Sequence, residues 1–292
     1  TRASWVKTWD ATKALELQEA AYKLAKEFGS PQRTAEAMAD MGRISEVLGE
    51  YNLALECYQS SLETFESPEM ELYRELIDSP SFCMSRTYCE LGDGMSGLEW
   101  IDSLINLLGP KADEHPYLYG QRAEALVLLD RLDEAAKQLE TCQRLSLKSG
   151  DEGYMSLYDL PMAYLEIAEG EPITAIGRLE PGYKFYTTAP AAIYINRFLI
   201  ALARAEIATN LREIEPDVSE QWLSKLGRHA REKNLPGIFM LHALLKADYL
   251  IARGLRSEAI ETLSEAVLDE HSDTSNTLYQ RIVNKIEDLE VH

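Results

Sequence analysis

The stretch MGRISEVLGEYNLALECYQSSLETF, residues 41–65, decides the fold. With the residues just before it, it divides into two amphipathic segments around a glycine. In TAEAMADMGRISEVLG, Met38, Met41, Gly42 and Ser45 share one helical face. Gly49 then permits a turn, and YNLALECYQSSLETF resumes with Ala54, Leu55, Tyr58, Ser61 and Leu62 at helical spacing. Pro68 discourages continuation. Small side chains at Gly42 and Ala54 let two antiparallel backbones approach closely, while Tyr51 and Tyr58 fill the space around them.

The same phase recurs along the chain. LGDGMSGLEWIDSLI carries Gly92, Gly97, Leu98 and Ile101 where the first stretch has Gly49, Ala54, Leu55 and Tyr58. Further on come Leu132, Ala135, Leu139 and Cys142, then Gly170, Ala175, Ile176 and Leu179, and finally Gly254, Ala259, Ile260, Leu263 and Ala266. The small residue thus steps through Ala14, Ala54, Gly97, Ala135, Ala175 and Ala259. Its interval is about 40 residues, a period characteristic of stacked helical units. The last gap is about twice as long, which predicts a degenerate unit inside it, with NRFLIALARAEIATN as first helix and VSEQWLSKLGRHAREKN as second.

This pattern resembles the tetratricopeptide repeat, in its longer variant. Met38, Met41 and Gly42 match the family's first helix, and Gly49, Tyr51, Ala54, Tyr58 and Pro68 match the turn and second helix. Ser45 departs from the expected aromatic. The resemblance implies an all-α, right-handed superhelical solenoid of antiparallel helix pairs, about fourteen helices in all. The expected organisation is one solenoid over 1–292: a partial repeat at 1–30, repeats at 31–68, 78–111, 112–150, 154–186, 190–235 and 237–270, and a capping helix at 275–290.

Two places break the rhythm. ESPEMELYRELIDSPS, residues 66–81, is longer than a repeat turn needs and is expected to extend a helix or add one. Pro161 is expected to delay or kink its helix. Pro181 and Gly182 are expected to end theirs early, leaving YKFYTTAP as an aromatic loop whose Tyr183, Phe185 and Tyr186 plug a gap or meet a partner. Trp5 and Trp9 share a helix face and are expected to pack on the first unit or on an upstream repeat. The chain begins without Met, which raises the expectation of a fragment.

Composition narrows the function. The balance of 49 acidic against 29 basic residues, a net −20, argues against nucleic-acid backbones and anionic membranes as partners. No apolar run approaches the roughly 20 residues needed to span a bilayer. Cys57, Cys83, Cys89 and Cys142 are far apart, which reads as separate buried thiols in a reducing, cytoplasmic or otherwise intracellular setting. GDGMSG, Gly92–Gly97, matches the dinucleotide fingerprint in letters, but it follows an amphipathic helix and its outer glycines hold repeat positions. The five histidines are scattered without a metal-ligand spacing, and no nucleophile motif is present. The expectation is therefore no enzyme, no cofactor and no metal.

On each first helix, the face opposite the packing residues lines the concave groove in the family that the pattern resembles. That face carries Arg43, Arg86, Glu124, Tyr164, Arg204 and Asp248 at one register position. Glu46 and Cys89 occupy the position three residues further on, and Phe82 and Ile200 the position four residues earlier. Arginines at equivalent positions can recognise carboxylates through bidentate hydrogen bonds, unless they already pair with acids such as Glu46 and Glu90. Arg43, Glu46, Phe82, Arg86, Glu124, Tyr164, Arg204 and Asp248 are thus the candidate partner-binding residues. The Lys/Asn clamp by which related domains hold chaperone tails is absent, because Ala39, Asp40 and Arg43, then Phe82, Cys83 and Arg86, stand in its place. The resemblance implies a scaffold that binds a peptide or helix of a partner protein. The alternative is a ligand-sensing regulatory segment of a larger signalling or transcription-regulator protein.

Overall fold

The computed structural model describes residues 11–68, 70, 78–149, 152–188, 192–212, 220–268 and 277–291. Trp5, Trp9, Glu69 and residues 71–77 lie outside the described residues. The helices are α1 (Ala11–Glu27), α2 (Pro31–Leu48), α3 (Tyr51–Phe65), α4 (Asp78–Glu90), α5 (Gly94–Leu108), α6 (Pro116–Leu128) and α7 (Leu132–Ser149). They continue with α8 (Glu152–Glu169), α9 (Pro172–Thr188), α10 (Ala192–Asn210), α11 (Gln221–Glu232), α12 (Pro236–Ala252), α13 (Arg256–Val267) and α14 (Thr277–Val291). No strand occurs among the described residues. Pro31, Pro116, Pro172 and Pro236 each open a helix, where a missing N–H costs nothing and the fixed φ is already helical.

The turns within helix pairs carry the repeat in their backbone. Gly49, Gly92, Gly170 and Gly254 all have positive φ, between 76° and 92°, and Asp130 takes the equivalent turn at 57°. Each stands five residues before the small residue of its unit. Those small residues sit where helices cross: Ala54, Ala135, Ala175 and Ala259 have no exposed surface. A Cβ at Gly42 would lie 2.5 Å from the Tyr58 ring, and one at Gly97 would lie 2.6 Å from Cys89 Sγ. The opening stretch therefore works as its pattern demands, with α2 and α3 in contact through Gly42 and Tyr58.

The chain forms two compact units. Unit 1 comprises Thr1–Glu46 and Leu53–Glu171; unit 2 comprises Val47–Asn52 and Pro172–His292. In unit 1, α4 packs on α5 and also on the next first helix, α6; α6 packs on α7 and on α8. In unit 2, α10 packs on α11 and α12, α12 on α13, and α14 closes on both α12 and α13. This nearest-neighbour arrangement, first helix on partner and first helix on next first helix, is that of an all-α solenoid. The core of unit 1 runs through Leu98, Ile101, Leu104, Leu118, Leu126, Leu139 and Leu165. A second cluster gathers Ala54, Tyr58, Leu62, Phe65 and Met84, and Phe82 packs against both.

Pro181 behaves differently from the sequence expectation, and Pro161 does not delay the start of its helix. α8 continues through Pro161 and α9 through Pro181, so Tyr183, Phe185 and Tyr186 are helical and not an aromatic loop. An interior proline costs about 3 kcal/mol in a helix. Packing offsets that cost. Pro161 is buried between Leu160 and Ala163 and approaches α6 at Gly120, where a Cβ would lie 3.4 Å from its Cγ. Beyond Pro181, Gly182 lies against Phe198 so tightly that a Cβ would come within 2.4 Å of the ring. Tyr186 stacks on Tyr194 with centroids 4.9 Å apart, and Tyr183 meets the Trp222 ring edge-on at 5.5 Å. The aromatic residues seal α9 onto α10 and α11.

Candidate functional site

The candidate residues of α2 and α4 converge in unit 1. Glu46 and Arg86, 4% exposed each, form a buried ion pair between the two first helices. Arg86 Nε donates to Glu46 Oε1 at 3.0 Å, and its Nη2 donates to Oε2, which also accepts from the Tyr58 hydroxyl. Thr87 Oγ1 lies 2.9 Å from both Glu46 Oε1 and Cys83 O, and its one proton serves either. Burial is the largest single influence and opposes the Arg86 charge, but Glu46, Cys83 and Tyr58 together outweigh it and hold the guanidinium pKa well above its ordinary value. Burial, reinforced by Cys83 and Glu46, drives the Tyr58 phenol well above its usual value, so Tyr58 remains a donor. Arg86 and Glu46 thus spend their hydrogen bonds on each other and on Tyr58, Cys83 and Thr87 around them.

Two neighbours keep access to solvent. The Arg43 side chain is 20% exposed; it pairs with Asp40 and donates from Nη1 to Ser79 Oγ on α4 at 3.0 Å. Phe82, half-buried, meets Tyr117 edge-on with centroids 4.9 Å apart, and the Arg86 guanidinium lies 5.4 Å from its ring centroid. Glu124 on α6 and Tyr164 on α8 are buried. Arg204 on α10 is half-buried, and Asp248 on α12 is exposed and paired with Lys285 of α14. The arrangement brings Arg43, Glu46, Phe82 and Arg86 together. Arg204 and Asp248 belong to unit 2.

The letters GDGMSG serve a helix junction. Gly92 makes the turn with φ 83°, and Asp93 caps α5 by accepting from the Ser96 amide at 3.0 Å and the Ser96 hydroxyl at 2.6 Å. Those hydrogen bonds hold the Asp93 carboxyl below its ordinary range. The preceding element is α4, a helix, so the strand that a dinucleotide fingerprint requires is missing at that place. Cys57, Cys83, Cys89 and Cys142 are buried thiols outside any disulfide, and burial pushes the Cys142 thiol up to about 11.

Unit 2 contains a site that sequence reasoning passed over. The second helix α11 is held at both ends by α10. At its start, the buried Glu206 carboxylate accepts from the Trp222 amide at 3.0 Å and the Leu223 amide at 2.8 Å, supplying the cap that Glu220 does not make. In its last turn, His229 Nε2 lies 3.0 Å from Asn196 Oδ1, and Asn196 Nδ2 donates to Val47 O at 3.0 Å. Burial, followed by Lys233, pushes His229 down to about 4, so the imidazole is neutral and its Nε2–H is the donor to Asn196.

Between α11 and α12 opens a cleft of about 340 Å³, lined by Ser224, Gly227, Arg228, Arg231, His242 and Lys246, with Glu220 and Glu232 also on its wall. Gly227 allows the His242 ring to lie against α11, because a Cβ there would come within 2.8 Å of it. His242 stacks near-parallel on Phe239 at 6.1 Å, and the Arg231 guanidinium sits 4.7 Å from the Phe239 centroid. Burial first, then Lys246 and Arg231, lowers His242 to about 4. A charge count by segment reveals the signal: from Gln221 to Lys246 there are five Lys or Arg and one acid, the reverse of the whole chain.

No protein-family model matches the sequence, and no curated protein matches it significantly. Among the described residues, no helix is long and apolar enough to cross a membrane, and no group of three or more His, Cys, Asp or Glu side chains is placed to hold a metal ion.

Proposed function

We propose that the chain is a non-catalytic interaction scaffold of tetratricopeptide-like construction, receiving a peptide or helix of a partner protein along its successive first helices. The reading places it inside the cell and assigns it no cofactor and no nucleic-acid contact. What supports it is the packing of first helix on first helix in unit 1, where Arg43 of α2 reaches Ser79 on α4 and Phe82 lies three residues further along α4, both side chains partly exposed. A mixed guanidinium and aromatic surface suits a segment carrying an acid beside an apolar anchor. Glu46 and Arg86 contribute by fixing α2 against α4 and do not meet the partner themselves.

The test is a photo-crosslinking amino acid placed at Arg43, Phe82 or Arg204, compared with Lys137 and Glu140 on the second helix α7. Crosslinks confined to the first-helix positions support the scaffold, and capture should weaken in salt where charge leads. Partner capture unchanged by Arg43→Ala combined with Phe82→Ala would retire this surface. A second reading, a ligand-sensing regulatory segment of a larger signalling protein, draws support from the cleft between α11 and α12.

A further inference from the structure

The cleft between α11 and α12 collects positive charge in a protein with a surplus of acids. Arg228 and Arg231 are three residues apart and project from the same side of α11; Lys246 and His242 are four apart on α12 and face them across the cleft. Among the described residues, no carboxylate pairs with Arg228, Arg231 or Lys246. His242 Nδ1 is buried and has no hydrogen-bond partner among the described residues. A buried polar atom left unsatisfied beside three cations is an arrangement that a bound anion completes.

We propose that this cleft binds the oxyanion group of a small ligand, a phosphate or carboxylate, through Arg228, Arg231 and Lys246, with the His242 ring edge as a further contact. The volume of about 340 Å³ matches a metabolite-sized molecule. Guanidinium forks suit planar or tetrahedral oxygens in pairs, and the ammonium of Lys246 adds a point charge. Glu220 and Glu232 on the same wall limit the positive field, so a long polyanion would meet repulsion where a compact one would not. α11 is well placed to hold such a site, since Glu206 anchors its first turn and Asn196 its last. The low pKa of His242 comes first from burial of the ring, and Lys246 and Arg231 of the same cleft lower it further. The assignment names a ligand class for the sensing reading and does not depend on the scaffold reading.

Isothermal titration of the full chain with inorganic phosphate, pyrophosphate and citrate, in a buffer free of other oxyanions, tests it directly. At least one probe should bind with one-to-one stoichiometry at sub-millimolar affinity. Arg228→Gln with Arg231→Gln should weaken it by at least about tenfold. Both arginines are exposed, so circular dichroism should show an unchanged fold. Gly227→Ala, which displaces the His242 ring, should weaken the same probe. Preference for pyrophosphate identifies a phosphoryl ligand, and preference for citrate a carboxylate one. Absence of saturable binding for all three probes, or binding that the double arginine variant leaves unchanged, overturns the proposal. Crosslinking through Arg43 and Phe82 is read separately, so failure here and failure of the scaffold reading remain distinguishable.

Discussion

Acidification from pH 7.5 to 5 should destabilise unit 2 through His229 and His242. Both imidazoles are half-buried, largely desolvated, and held near 4, against an ordinary value of 6.5. A histidine whose folded pKa lies below its unfolded value takes up a proton more readily once the chain unfolds. Its contribution to stability is therefore complete above about 6.5 and declines as pH falls toward the folded value. A gap of about 2.5 units caps each loss at about 3.4 kcal/mol. At pH 5 about 2 kcal/mol of that is already lost per histidine, or about 4 kcal/mol for the two together. Against a typical domain stability of about 5–15 kcal/mol, this is enough to bring unfolding within reach. Trp222, buried in α11 against Tyr183, is the reporter once the other tryptophans are replaced by phenylalanine. Urea titrations followed by its fluorescence give the stability at each pH. His229→Gln keeps a donor for Asn196, and His229→Gln with His242→Gln removes both titrating rings. The parent should lose about 4 kcal/mol more than this double variant between pH 7.5 and 5. Parallel stability curves for the two proteins would refute the assignment of neutral, desolvated imidazoles.

Three further outcomes follow from the packing. Glu46→Ala strands the buried Arg86 guanidinium and should cost unit 1 about 3–5 kcal/mol, whereas Glu46→Leu with Arg86→Met should cost much less, as chemical denaturation will measure. Glu206→Ala leaves the Trp222 and Leu223 amides without their acceptor and should lower stability by about 2–3 kcal/mol; Glu206→Gln should recover part of that loss. Gly42→Ala drives a methyl group into the Tyr58 ring and should cost about 1–3 kcal/mol in thermal unfolding, with Tyr58→Leu in the same chain relieving the clash.

The fold was legible because close helix crossings admit few side chains. Gly42, Ala54, Gly97 and Ala135 stand at crossings where a larger residue would force the backbones apart, so their spacing carries the architecture into the sequence. Turn glycines add to it, since Gly49, Gly92, Gly170 and Gly254 all need positive φ. Pro181 misled for the opposite reason. A local propensity of about 3 kcal/mol is overridden by contacts from helices far away in the chain, and only the fold reveals those contacts. The surroundings of the candidate residues on α2 and α4 were half legible. Register puts Arg43 and Arg86 on the successive first helices α2 and α4, where they lie, but burial of Arg86 depends on Glu46 of the preceding helix pair. An acid one turn beyond the arginine register, facing the next unit's arginine, is the signal that would have exposed the pair. The cleft of unit 2 was missed because motif reading seeks fixed spacings, whereas Arg228, Arg231, His242 and Lys246 come from two helices in a unit where the repeat had degenerated.

The Glu46–Arg86 pair also governs how the array may assemble. Apolar crossings built from alanine and leucine look much alike from one unit to the next, so by themselves they tolerate misthreading. A buried guanidinium tolerates only the neighbour that brings its carboxylate. Were the α4 hairpin to dock on any other unit, or on the same unit of a second molecule lacking a free Glu46, it would drag an uncompensated charge out of water. One ionic joint thereby makes the order of the modules along the chain a matter of electrostatics.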